Sequence, residues 1–379
     1  MDADVAVVGV GAMGSMSLWR LAARGASVIG FERFQPGHTL GSSHGETRII
    51  RTAYHEGPEY VPLVQEAWSL WRRLEAESGA SLAVRNGGLL IGPPDGEVVR
   101  GALLSARTHN LQHQLLDAAD LRRLHPQHRI GEGDVAIAEP DAGFIRPEQA
   151  VEAAAARAIA LGAVVLSGCR VRTIEPDGNG VTILSDAGKH RVRHAIVAAG
   201  PWTTEIAPWA NLPLTVARQA MGWYEATDPA LFELSRFPIW IREAPDHIAY
   251  GFPTVDGRTV KLALHHEGSA AEPDTVDRAI HASDTGPLDG YVSKYFAGLG
   301  AHAVEMRVCM YTNTPDRHFV IGPIGGVDNV TVLSPCSGHG FKFASVIGDI
   351  AADFALDGDT RRNVERFDPG RFRPATSRR

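Results

Sequence analysis

Residues 4–33, DVAVVGVGAMGSMSLWRLAARGASVIGFER, leave this chain few folds to choose from. An apolar strand over 5–8 runs directly into Gly9-x-Gly11-x-x-Gly14. A helix follows with Leu18, Leu21 and Ala22 on one face, and Gly25 is placed to close it. A second strand over 27–31 ends at Glu32, eighteen positions after Gly14, where an acid can hydrogen-bond an adenosine ribose. Glycines between a strand and a helix, with the acid in register, predict a β–α–β unit that holds the ADP half of a dinucleotide. The unit alone leaves FAD and NAD open.

A second glycine turn lies near the C-terminus. After CMYTNTPDRHFVIGP and a strand at NVTVL comes Ser337-Gly338-His339-Gly340, followed at once by a helix over 343–356. Gly338 and Gly340 let backbone approach something flat or anionic, so this stretch is expected to wrap a cofactor's reactive end. A third turn, where the strand in HAIVAAGPWTTEI ends at Ala199-Gly200 and runs into a helix, tilts the choice towards FAD.

Between these ends, a polar loop over 41–45 leads to Arg48 and Arg51, expected on one helical turn and projecting to one side. One could face the cofactor and the other an anionic substrate group; the alternative is a surface pair with Glu46 or Glu56. Helices are expected over 61–80, 95–108, 117–125 and 148–161, and a largely helical stretch over 273–299. Residues 213–265 alternate like an antiparallel sheet. The fold class is therefore α/β, with a Rossmann-like FAD-binding domain (1–85, 145–212 and 305–379) interleaved with an antiparallel-sheet substrate domain (86–144 and 213–304).

At 379 residues, 44% hydrophobic and 21% charged, the composition is that of a soluble globular chain long enough for two cores. A net charge of −7 argues against nucleic-acid or anionic-membrane partners, and the basic cluster over 361–379 reads as a solvated tail. Cys169, Cys309 and Cys336 are too few and too far apart for a disulfide framework or a zinc ribbon. No metal is expected. No leader, apolar span or peroxisomal signal stands out, so the expected location is the cytoplasm.

The blocks VGVGAMG, GSSHGETRIIRTAYHEG, YGFP…VKLALHH, CMYTNTPDRHFVIG and SGHGFKFASVIG together resemble the monomeric sarcosine oxidase and N-methyl-tryptophan oxidase family of flavoproteins, along essentially the whole chain. The resemblance implies FAD tethered through a thioether to Cys309, and a substrate carboxylate held by Arg51 and Lys342. It places Tyr250 and His265 on the pocket wall, Thr47 and Arg48 beside the flavin ring, and Lys261 on the opposite face, where O2 is activated. Ser42, Ser43, Val171, Gly338 and Gly340 match flavin or adenine contacts, although Ser43 stands where relatives carry a histidine. Cys336 is expected to be a buried bystander near the flavin.

The implied activity is oxidation of a secondary amino acid such as sarcosine by a monomer, with O2 as acceptor and formaldehyde and peroxide as products. Larger N-alkyl or fructosyl amino acids, including N-methyl-tryptophan, are alternative substrates. A dehydrogenase with a different acceptor, or a flavin-binding sensor, are alternative functions. The segment FPIWIRE is expected to supply a pocket wall through Trp240 or Ile241.

Overall fold

Gly14 cannot carry a side chain: a Cβ there would lie 1.8 Å from the carbonyl oxygen of Gly9. Gly9 takes a left-handed φ of 88°, and a Cβ on it would meet the Ala198 carbonyl oxygen at 2.6 Å. Both glycines are thus required by backbone packing, which draws the strand Ala3–Val8 tightly into the helix Ala12–Ala23. The computed structural model describes residues 1–372.

Ala3–Val8 lies parallel to both Val28–Glu32 and Gly188–Val197, and the sheet extends to eight strands. Val164–Ser167 forms one edge, and Val327–Ser334 runs parallel to the C-terminal half of Gly188–Val197. Between Val164–Ser167 and Gly188–Val197 the chain forms a hairpin, Val171–Asp177 with Gly180–Ser185. Helix Ala344–Asp357 packs back on Ala12–Ala23 so closely that a Cβ on Gly348 would reach the Met16 backbone at 2.5 Å.

A nine-stranded, mainly antiparallel sheet forms the second layer, with Gly88–Gly92 parallel to Ile239–Glu243 as its exception. The strand Leu299–Asn313 pairs along its length with Thr215–Ala226. The expected domain boundary at 305 cuts this strand, and the second sheet extends to Asn313. The helical stretch expected over 273–299 is also shorter: the helix is Ala282–Tyr295, with an irregular segment before it.

Arg48 and Arg51 are not on a helical turn. Arg48–Ile50 is a strand, paired antiparallel with Gly143–Ile145 in a small third sheet that also holds Ala83–Arg85. β-Branched Ile49 and Ile50 suit that role, and the partner strand is remote in sequence, so local periodicity could not show it. The basic cluster is not simply solvated either. Arg362 forms ion pairs with Glu66, Asp349 and Asp353, and Arg371 pairs with Asp316; residues 373–379 lie outside the described chain. Among the described residues, no helix is long and apolar enough to cross a membrane.

Candidate active site

One cavity connects the two glycine turns. At one end it is lined by Gly9, Gly11 and Glu32, and at the other by Arg51, His265 and Lys342. Gly11 begins the helix Ala12–Ala23 without any side-chain cap or first-turn acid. A Cβ on Gly11 would meet only the Ser43 Oγ, at 3.9 Å, so it would fill the cavity itself. Glu32 accepts from the Val10 N–H at 2.7 Å and the Phe34 N–H at 2.9 Å, which fixes the acid at the strand end. Ser42 and Ser43 both line the cavity, and the Ser42 Oγ is buried without a partner. Uncapped N–H groups, an open glycine cradle and an orphaned hydroxyl are what a bound dinucleotide would satisfy. These residues fit FAD. Val171 lies beside them on the wall, with Cys169.

At the other end, Arg51 is fully buried and donates from Nη2 to Glu56 at 2.5 Å and from Nη1 to the Ala53 carbonyl at 3.2 Å. Its Nε has no partner. Burial works against the Arg51 charge, but Glu56 and Tyr54 outweigh it and raise its pKa. For Glu56, burial favours the neutral acid, yet Arg51, His55, His339 and Lys342 together hold its pKa well below the usual carboxylate range. Lys342 donates to the His339 carbonyl at 2.6 Å and to the Tyr54 hydroxyl at 3.4 Å. Burial, helped by the Arg51 charge and opposed by Glu56, lowers its pKa to about 7. The expected pair of cations therefore shares its space with an anion.

Tyr250, Tyr311 and His265 form the polar wall. His265 Nδ1 is 3.3 Å from the Tyr311 hydroxyl, and its ring meets Tyr250 edge-on. Burial, with His266 adding to it, keeps His265 well below its ordinary pKa and hence neutral. Burial likewise raises the pKa of Tyr250 and Tyr311, so both remain hydroxyl donors. Gly338, at φ 77°, lies against this wall: a Cβ there would come within 2.5 Å of the Tyr311 ring and 2.8 Å of His265. Gly340 is constrained by its own loop, where a Cβ would lie 1.4 Å from the Pro335 carbonyl oxygen.

On the strand Ile239–Glu243, Ile241 lines the cavity while Trp240 turns to the other face, stacked on Tyr291. Alternation along a strand allows only one of the two to reach the cavity. Arg48 lines the cavity and donates to the carbonyls of Thr47 and Ser42, and its Nη2 is 3.7 Å from the Cys309 Sγ. Cys309 itself is buried beside Met221 and Trp223, next to the cavity-lining Met310. Cys336 is only partly buried and lines the cavity, so it is less sequestered than expected.

Lys261 is buried and stands apart from this cavity's lining. Its Nζ donates to the carbonyls of Gly45 at 2.5 Å and Thr47 at 2.8 Å, with the Thr47 Oγ1 at 3.3 Å. Burial and then the Arg48 charge lower its pKa well below the ordinary lysine value. Sequence reasoning gave no role to His55 or Tyr311, and weighed Glu56 only as a surface partner. All three line the cavity, and each lies inside or beside a quoted family block, which was the available signal.

Residues 4–354 match the family model described as FAD dependent oxidoreductase. The chain is 37% identical over 377 residues to a monomeric sarcosine oxidase of Streptomyces avermitilis, covering 98% of each. It is 34% identical over 378 residues to an N-methyl-L-tryptophan oxidase of Yersinia pestis, covering 98% of this chain and 100% of that one. Its fold is similar to that of the open form of NikD, an unusual amino acid oxidase essential for nikkomycin biosynthesis, with a TM-score of 0.86, 24% identity and 97% of each chain covered.

Proposed function

Because this chain belongs to the family of FAD-dependent oxidoreductases that includes monomeric sarcosine oxidase and N-methyl-L-tryptophan oxidase, we propose that it oxidises a small N-methyl amino acid such as sarcosine. The observation that carries this reading is the pair of buried cations, Arg51 and Lys342, at the far end of the cavity from the dinucleotide cradle. Two cations in a desolvated site suit a carboxylate.

FAD, when bound, supplies the two-electron acceptor, and O2 is the final oxidant. The balanced reaction converts the N-methyl amino acid, O2 and water into the demethylated amino acid, formaldehyde and hydrogen peroxide. Arg51 and Lys342 dock the carboxylate and so fix the N-methyl group's position. The same positive charges disfavour an ammonium beside them, which helps the amine lose its proton. Neutral His265, hydrogen-bonded to Tyr311, is the group assigned to position the amine. Arg48 holds the Ser42 carbonyl and approaches the Cys309 thiol, and Cys309, next to the cavity-lining Met310, is the position assigned to a thioether to the cofactor. Lys261 is the group assigned to O2, where an ammonium stabilises developing superoxide charge.

Anaerobic mixing with sarcosine and other N-substituted amino acids should bleach the flavin, and aerobic turnover should release one peroxide per substrate. Failure of every such amino acid to reduce the flavin would overturn the reading. Reduction without peroxide would instead favour a dehydrogenase with another acceptor. Lys261→Met should leave anaerobic reduction nearly intact while slowing reoxidation; equal loss in both half-reactions would remove its assigned role.

A further inference from the structure

Gly45 and Glu46 both adopt left-handed backbone, with φ of 98° and 70°. Glycine takes such angles freely, but Glu46 does so at a cost. Its side chain is anchored from the nine-stranded sheet, accepting from Trp223 Nε1 and Arg307 Nη2, each at 3.1 Å. A turn of this kind sends successive N–H groups to one side, where they form a small anion-binding concavity. The concavity is filled. Both N–H groups donate to the carboxylate of Glu148, in the first turn of helix Pro147–Ala160.

The opposite side of the same loop presents carbonyl oxygens, and those of Gly45 and Thr47 receive the Lys261 ammonium. One peptide group therefore lies between a cation and an anion. Its C=O, from Gly45, faces Lys261, and its N–H, from Glu46, faces Glu148. Each charge polarises the peptide in the sense that strengthens the other's hydrogen bond. The charged and titratable groups around Lys261 are Glu46 on the loop, Arg48 at the start of the strand Arg48–Ile50, Glu148 on the helix and Cys309 on the strand Leu299–Asn313; the buried His44 ring lies near as well. Burial and Arg48 oppose the ammonium, and Glu148 is foremost among the groups that favour it.

We propose that Glu148 is a positioning residue for Lys261: through the Gly45–Glu46 peptide it holds the lysine in place and in its charged form. The inference rests on the assignment of Lys261 to O2, and it adds a second residue from a distant helix to that assignment. A bland alternative is that Glu148 merely caps its loop, with no effect on the lysine.

Reduced holoenzyme mixed with O2 separates these. Glu148→Gln should reoxidise roughly tenfold more slowly, because the ammonium that stabilises superoxide is displaced or lost. Its rate should also begin to fall at a lower pH than in the native enzyme, since Lys261 then loses its proton more easily. Glu148→Asp should recover part of the loss, and Glu148→Gln combined with Lys261→Met should be no slower than Lys261→Met alone. A native rate and pH profile in Glu148→Gln, beside a slow Lys261→Met, would overturn the proposal and leave the O2 role standing. If Lys261→Met itself reoxidises normally, that role fails, and the coupling is read from holoenzyme unfolding instead. Tm losses that are less than additive in the double variant would still support the positioning, and additive losses would overturn it.

Discussion

The Arg51 guanidinium meets the Glu56 carboxylate at 2.5 Å inside the cavity where a substrate carboxylate is expected to dock. A docking carboxylate must share Arg51 with this resident anion. Glu56→Gln removes the competitor and raises the site's net charge by one. We expect KM for a carboxylate substrate to fall by roughly three- to tenfold, in line with one strong charge–charge term in a desolvated site. A rise in KM would show instead that Glu56 is needed to aim Arg51.

Lys342 gives the site a pH dependence. With its pKa lowered to about 7 by burial and Arg51, it is charged below that pH and neutral above it. A carboxylate binds the charged form better. Affinity for a carboxylate ligand without an amine should thus be flat below pH 7 and fall above it, by up to about tenfold per unit. Titration calorimetry across pH 5 to 9 would measure it. Lys342→Met should remove the slope, and a slope that survives in that variant would assign the titration elsewhere.

Cys309 should retain the flavin after denaturation. An acid-precipitated pellet of the native chain should stay yellow, and that of Cys309→Ser should be colourless. A yellow Cys309→Ser pellet would move the tether, with cavity-lining Cys336 the next position to replace.

Gly338→Ala tests whether the Gly-His-Gly turn must approach the polar wall. The new methyl would press on the Tyr311 and His265 rings at 2.5 and 2.8 Å and would sit at a left-handed φ. Overpacking and the backbone together should cost about 2–4 kcal/mol of stability. Calorimetric Tm and kcat/KM should both drop, and unchanged values would mean that the wall yields freely.

Ile241 and Trp240 should respond differently to truncation. Ile241→Ala enlarges the cavity and should shift selectivity towards bulkier N-methyl amino acids with little loss of Tm. Trp240→Ala leaves a hole in the opposite core and should cost about 3–5 kcal/mol with selectivity unchanged. Equal selectivity shifts in both would place the substrate elsewhere.

The N-terminal glycine-rich unit was legible because its parts are contiguous. Gly9, Gly11, Gly14 and Glu32 belong to one strand–helix–strand unit, and short-range sterics dictate both the spacing and the residue types. The resemblance of whole blocks supplied candidate names at the reactive end, Arg51, Tyr250, His265 and Lys342 among them, and the cavity brings those together. Their relations were not legible. Arg48 and Arg51 looked helical because the strand that pairs with Arg48–Ile50, Gly143–Ile145, lies far along the chain. Glu56 looked like a surface acid because nothing local shows that Arg51, Lys342 and His339 close around it.

The sequence by itself therefore determined the fold class, the N-terminal strand–helix–strand glycine turn and which residue types could do the chemistry. The tertiary structure decided which of them share a charge, a hydrogen bond or a face: Glu56 with Arg51, Glu148 with the loop that holds Lys261, Ile241 rather than Trp240 at the cavity. Propensity and spacing act over a few residues, whereas burial and electrostatics depend on which distant strands pair, and those pairings exist only once the chain has folded.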